Sequence, residues 1–396
     1  MFYKTETAAS GFFSRSGGNQ TDMKLLNREL LYKNITQRQC ALMESGHVGR
    51  CEIVVRQNGS KIFHESFGCE QNLMYRLASM TKPVTAVAVL SEVQKGRLSL
   101  DDKVSRFFPG FADQYVGMLG ENRTVLPKEK VKQEITIERL LNHTNGLLSD
   151  IGGVGEAQEC AMTADDRQNL TTVTNYIDRV MLSFQPGEMA FYSATAAFDV
   201  AARIVEITSG LPFDAYVDQS IIRPLGITDI TFRPSEDQWG RMSQMHCFDG
   251  QKVWYDDPGR TIFEGFPLTY FCGGAGLAGT ADAYSAFAEM LLNEGSCRNG
   301  IVLKPEMVRL MRKPYVPISG DRNDAQWWGL GVRVIANDAY TLPKGCFGWS
   351  GAYGSHFWVD PVNRITAVYM KNSRYDGGAG AQSSAWFEED VVNSFQ

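Results

Sequence analysis

The chain has 396 residues, 43% of them hydrophobic, and a net charge of −6 spread over dispersed acids and bases. That is ample apolar material for one large core or two intertwined ones. No basic stripe with interleaved aromatics marks a nucleic-acid surface, and no apolar run reaches the roughly 18 residues that span a bilayer.

Residues 1–22 are polar, carry Gly17-Gly18 and read as an N-terminal arm. They show no basic patch followed by an apolar stretch, so no export signal is expected and the expected location is cytoplasmic. Eight scattered cysteines without C-x-x-C suit free thiols in a reducing compartment. Five histidines without H-E-x-x-H or cysteine pairing give no metal site, and no cofactor is expected.

A helical apolar pattern runs from Met23 to about Met43. Two strand-like runs follow, from Cys51 to His64, separated by Asn58-Gly59, the strongest short hairpin signal. Next comes Arg76-Leu-Ala-Ser79-Met-Thr-Lys82-Pro83, then an aliphatic helix ending at Gly96. Candidate helices lie over 136–142, 172–182, 194–208, 213–221, 280–293 and 304–312. Strands return over 328–335, 355–359 and 364–370, with a turn at Asp360-Pro361-Val362-Asn363. A last helix is expected near 382–394.

Strands at both ends and helices between them predict an α+β fold. One antiparallel sheet is built from both termini and flanked by helices, with a mainly helical part inserted. In domain terms, 23–97 and 326–396 form the sheet-containing part and 98–325 the helical part of one hydrolase domain over 23–396.

Ser79 and Lys82 carry the chemistry. Residues three apart share a helix face, so the ammonium reaches the hydroxyl. A lysine in a dry pocket can act as a base, and a serine beside a base is an activated nucleophile. Pro83 belongs in a first helical turn, which pins Ser79 at or just before the helix N-terminus. Free N–H groups and the helix dipole there favour developing negative charge. Alone, this spacing is common among solvated surface residues.

Tyr192 follows a Pro186-Gly187 turn and precedes a helix. On residue type it reads as a core aromatic with an outward hydroxyl; beside cations it can serve as a general base. Phe347-Gly-Trp349-Ser350-Gly351-Ala352-Tyr353-Gly-Ser355 places small residues beside a strand. Either a bulge or the close approach of another backbone explains them.

In this order and at these separations, the three elements resemble the serine β-lactamase and penicillin-binding-protein superfamily. Leu140-Leu-Asn-His143-Thr-Asn-Gly146, Pro224-Leu-Gly-Ile227 and Gly273-Gly-Ala-Gly-Leu277 resemble further segments of it. The match spans about 25–390 and is most similar to the class C branch, within it to the family VIII carboxylesterases. The resemblance implies Ser79 as nucleophile, Lys82 as its proton partner, and Tyr192 as second base and donor to the leaving group. It implies the amides of Ser79 and Ala352 as oxyanion hole.

Two positions depart from the β-lactamase pattern. Ala194 stands where Y-x-N has its amide, and Trp349-Ser350-Gly351 stands where K-T-G has its cation. A charge-assisted hydrogen bond is worth about 1.5–3 kcal/mol, so substrates bearing a carboxylate lose anchoring. The expected activity is hydrolysis of short-chain carboxylic esters, small-molecule substrates held by Ala194, Trp349, Ser350, Gly351, Tyr353 and His356. The alternatives are amide hydrolysis (a β-lactamase, DD-carboxypeptidase or D-aminopeptidase), acyl transfer to an alcohol, and a non-catalytic sensor. His143 is expected to hold a turn, Asp101 and Asp102 to shape one. Trp327, Trp328 and Trp358 are read as core that could also line an acyl pocket.

Overall fold

The computed structural model describes residues 23–148, 151–260, 266–321, 323–378 and 380–396. The arm expected over 1–22 lies outside them. Asn58 and Gly59 both take left-handed backbone, φ +52° and +75°. That is the type I′ turn whose twist suits a hairpin. It joins β1 (Cys51–Gln57) to β2 (Ser60–Phe67), pairing Gln57 with Ser60.

The other strands of this sheet come from the C-terminal part: β3 (Val316–Pro317), β4 (Gln326–Trp328), β5 (Arg333–Ile335), β6 (Phe347–Ser350), β7 (His356–Asp360) and β8 (Ile365–Lys371). The order is β3-β4-β5-β6-β7-β8-β1-β2, antiparallel throughout. The first strand of the chain thus seats beside the last, as strands at both ends required.

One strand was expected over 328–335. The chain instead reverses there, at Gly329-Leu330-Gly331, to make β4 and β5. Gly331 has φ +72°, and a Cβ on it would meet Ala86 at 2.8 Å and the Lys82 carbonyl oxygen at 3.1 Å. Glycine is needed for both the turn and the approach of the next helix.

Five helices frame the sheet: α1 (Arg28–Glu44), α2 (Thr81–Gln94), α3 (Ala196–Ser209), α4 (Ala281–Leu292) and α5 (Gln382–Val392). The pleat divides them. Ile53, Val55, Trp358 and Tyr369 enter one core with Leu31, Ile35, Phe387 and Val391 of α1 and α5. Val54, Phe357, Val359 and Val368 enter the other with α2, α3 and α4. From Thr81 to Glu92 every residue of α2 is buried, as a helix apolar on most sides requires.

Between 98 and 325 the described chain also forms three hairpins: Tyr115–Leu119 with Val125–Lys130, Met245–Phe248 with Val253–Asp256, and Ser296–Cys297 with Gly300–Ile301. Their second strands are largely exposed and carry no apolar alternation, so periodicity gave no sign of them.

Candidate active site

Ser79 lies on a single 3₁₀ turn, Ala78–Met80, that leads straight into α2. Pro83 falls among the first residues of that helix, where a missing N–H leaves no bond unmade. Ala78, just before the serine, is held at φ +43°. A left-handed residue with a side chain costs on the order of 1 kcal/mol, and such strain gathers at functional sites.

The Lys82 side chain is buried. Its Nζ donates to Ser79 Oγ at 3.2 Å, to the Ala194 carbonyl at 2.5 Å and to the Gly274 carbonyl at 3.0 Å. Three acceptors meet the three N–H bonds of an ammonium. The rings of Tyr192 and Phe198 lie 4.8 and 5.4 Å from Nζ. Tyr192 donates its hydroxyl to Ser79 Oγ at 2.7 Å and accepts Trp349 Nε1–H at 3.4 Å. Trp328 stacks on Tyr192 at 5.8 Å and meets Trp349 edge-on at 4.6 Å.

The small residues after Trp349 allow a close backbone approach. A Cβ on Gly351 would lie 2.3 Å from the Leu77 carbonyl oxygen and 2.2 Å from Ser355 Oγ. Ser355 Oγ also donates to that carbonyl, at 3.2 Å. The end of β6 is thereby seated against the backbone two residues before Ser79. Ala352, next in the chain, is exposed.

Ser79, Lys82, Tyr192, Trp349 and the Ala194 carbonyl are brought together; Tyr353 and His356 lie elsewhere. Tyr353 lines a separate cavity of about 220 Å³ with Arg76, Pro258 and Arg374. His356 is buried on the opposite face of the sheet, beside Trp358, so its ring does not line a pocket around Ser79. The pleat sends Phe357 toward α2 and His356 away. Trp358 packs on Phe387 in the second core, and Trp327 caps the Asp324 carbonyl with its indole N–H.

His143 lies behind Tyr192, with its ring 4.8 Å away, and its Nδ1 accepts the Ser193 N–H at 3.2 Å. Complete burial and the charge of Lys82 push it well below the usual histidine range. It is therefore neutral, with its proton on Nε2. Asp102 accepts the Ser99 N–H at 2.8 Å within a surface turn.

Sequence reasoning missed Asp199 and Gly274. Asp199, fully buried on α3, accepts the Gly273 N–H at 2.8 Å and the Tyr270 hydroxyl. It thus fixes the loop whose next carbonyl holds Lys82. A Cβ on Gly274 would meet the Ala194 carbonyl oxygen at 2.8 Å. Gly273-Gly274 was visible as a motif, but nothing local ties it to a lysine almost 200 residues earlier (|i−j| = 192).

Among the described residues no helix is long and apolar enough to cross a membrane. Nor does any cluster of three or more His, Cys, Asp or Glu among them suit a metal ion.

An antiparallel sheet between helices, with a serine and a lysine at the head of a buried helix, defines a serine hydrolase of the β-lactamase fold. The chain belongs to the beta-lactamase family, whose sequence model matches residues 35–386. It is similar to an uncharacterized protein of Mycobacterium tuberculosis, 31% identical, covering 76% of this chain and 78% of that one. It is also similar to the esterase EstB of Burkholderia gladioli, 29% identical over 86% of this chain and 90% of the relative. Among solved structures, EstCE1, described as a hydrolase with promiscuous acyltransferase activity, superposes with a TM-score of 0.76 at 22% identity. That likeness covers 92% of this chain and 99% of the other.

Proposed function

We propose that the protein hydrolyses short-chain carboxylic esters through a Ser79 acyl-enzyme, with Lys82 and Tyr192 as its proton relay. The observation that carries this is the convergence of Lys82 Nζ and the Tyr192 hydroxyl on one serine oxygen, at 3.2 and 2.7 Å.

Two of the three Lys82 contacts are carbonyls, which only accept. They keep two N–H bonds whatever the third position holds. As an ammonium, Lys82 donates its third N–H to Ser79. As an amine, it turns a lone pair to the same oxygen and takes the serine proton. The geometry serves both states without rearrangement, as a relay must.

In the acylation step Ser79 Oγ bonds to the ester carbonyl carbon and its proton passes to the relay. The carbonyl oxygen takes the negative charge, held by the Ser79 and Ala352 amides beside the helix N-terminus. The carbon–oxygen bond to the alcohol then breaks, and Tyr192 returns the proton to the leaving oxygen. Water repeats the sequence and frees the acid.

Trp349 favours a neutral substrate. Its indole donates to Tyr192 and walls the site where a cation would hold a carboxylate. Ala194 offers Lys82 a carbonyl and offers a substrate no side-chain amide. The similarity to an esterase supports the same reading.

The test compares p-nitrophenyl butyrate with the cephalosporin nitrocefin. The ester is expected to win in kcat/KM by at least about 10-fold, roughly 1.4 kcal/mol. A fluorophosphonate should add to Ser79 in an intact-mass measurement. A preference for nitrocefin would replace this reading with amide hydrolysis.

A further inference from the structure

Tyr192 belongs to no helix or strand, yet its hydroxyl is held 2.7 Å from Ser79 Oγ. Its place must come from contacts with another segment, and His143 supplies three. The His143 carbonyl accepts the Phe191 N–H at 3.0 Å, and its Nδ1 accepts the Ser193 N–H at 3.2 Å. Its ring lies 4.8 Å from the ring of Tyr192. The backbone is thus gripped on both sides of Tyr192, and the phenol is backed from behind. Trp328 lies against both rings, 4.3 Å from His143 and 5.8 Å from Tyr192.

Packing alone does not account for a histidine here. His143 follows the short helix Ile137–Leu141 and its C-cap Asn142, and the Thr144 N–H bonds back to the Arg139 carbonyl at 3.2 Å. That is a Schellman helix end, whose left-handed position glycine or asparagine usually takes. Histidine fills it at φ +63°, where a Cβ crowds the next carbonyl. Its Nε2 is buried with no hydrogen-bond partner among the described residues, and an unsatisfied buried donor destabilises where an apolar side chain would not. What the histidine adds against both costs is an acceptor. The ring is neutral, so Nδ1 is bare and can take the Ser193 N–H.

In the proposed hydrolysis Tyr192 returns the proton to the leaving oxygen. The need for that proton depends on the ester. p-Nitrophenolate is stable as an anion and departs unprotonated, whereas an alkoxide must gain a proton as its carbon–oxygen bond breaks.

We propose that His143 is a positioning residue: by bonding the chain on both sides of Tyr192 it holds the phenol where it protonates a leaving alkoxide, and so fits the site to esters of ordinary alcohols as well as of acidic phenols. The inference rests on the ester-hydrolase reading.

Ethyl butyrate and p-nitrophenyl butyrate test it on the wild-type protein and two variants. His143→Leu keeps bulk and removes the acceptor. His143→Asn restores an acceptor near the place of Nδ1 and suits left-handed backbone. A displacement near 1 Å costs about 10²-fold. In the Leu variant kcat/KM for ethyl butyrate should fall by about 10²-fold, and for p-nitrophenyl butyrate by less than about 10-fold, because only the alkoxide needs the proton. The Asn variant should recover most of the loss on ethyl butyrate. A merely structural defect lowers the active fraction and so lowers both esters together. Equal losses therefore overturn the proposal, as do no loss, an Asn variant no better than Leu, or a wild type that cleaves only the p-nitrophenyl ester. A wild type inactive on both esters overturns the hydrolase reading instead. In that case, or if the Leu variant does not fold, ¹⁵N spectra of histidine-labelled wild-type protein decide the grip on Tyr192. An Nε2–H tautomer with a hydrogen-bonded Nδ1 at His143 supports it, and an Nδ1–H ring overturns it.

Discussion

Replacing Gly351 with Ala adds one methyl group, at a place with no room for it. The new carbon would sit 2.3 Å from the Leu77 carbonyl oxygen and 2.2 Å from Ser355 Oγ. Contacts below 3.0 Å force movement, and here one neighbour is backbone. Ser355 can rotate away at the loss of its bond to Leu77, worth about 1 kcal/mol. Leu77 cannot move alone: its N–H is bonded to the Leu277 carbonyl at 2.9 Å, and its own carbonyl accepts the Met80 N–H at 3.0 Å. Overpacking of this kind costs about 1–3 kcal/mol. The strain is relieved by shifting Ala78–Met80 or the end of β6, and both lie at the reaction centre. A displacement near 1 Å is enough to lose about 10²-fold in rate. Gly351→Ala should therefore lower kcat on p-nitrophenyl butyrate by about 10²-fold with a fall in stability of about 1–3 kcal/mol by urea denaturation. Unchanged kcat in a folded variant would refute the claim that this packing sets the position of Ser79.

Other outcomes follow from single contacts. Ser79→Ala should cost about 10³-fold or more in kcat with the fold intact, and wild-type turnover in a clean preparation would sink the nucleophile assignment. Tyr192→Phe keeps the ring against Trp328 and Trp349, so it should cost about 10²–10⁴-fold in rate with little change in Tm; surviving activity with collapsed stability would make Tyr192 a core residue. Burial raises the Asp199 carboxyl from 3.8 to about 6. Between those values the folded chain holds a proton that the unfolded chain releases, so this group's contribution declines as pH rises, by about 3 kcal/mol. Asp199→Asn should flatten that decline in urea midpoints taken from pH 4 to 7, and an unchanged slope would show that Asp199 does not titrate there.

The sequence made much of the fold legible because the decisive signals are local. Asn58-Gly59 specifies its own turn, and Pro83 specifies where α2 begins. The Ser79–Lys82 spacing needs only a helix to bring the two groups together. The reading failed where distance decides. An apolar run over 328–335 looks like one strand unless Gly331 is known to pack on α2. His356 follows a glycine-rich motif, but the pleat alternation turns it to the α5 side. Asp199 looks like one more polar residue on α3 until Gly273, more than seventy positions later (|i−j| = 74), brings its N–H to it.

The aromatic surroundings of Ser79 give the substitution at Trp349 its meaning. Lys82 lies against Ser79 and the Tyr192 ring, and all three of its N–H bonds are taken. A substrate carboxylate entering this space would shed water and meet Lys82 with its N–H bonds already taken. Losing hydration without a partner costs several kcal/mol for an ion, and far less for an ester, which is uncharged. The rings of Trp328, Tyr192 and Trp349, packed 4.6–5.8 Å apart, offer apolar surface in exchange for the little water an ester gives up. The proposed proton relay is compatible with esters and amides alike, so on this reading discrimination falls to its walls. A lysine at position 349 would add a second positive charge beside Lys82, favour acidic substrates and remove the indole that bonds the Tyr192 hydroxyl. On the proposed reading, substrate charge and relay geometry are coupled through this one side chain, so Trp349→Lys should narrow the proposed preference for neutral esters while lowering the rate on all of them.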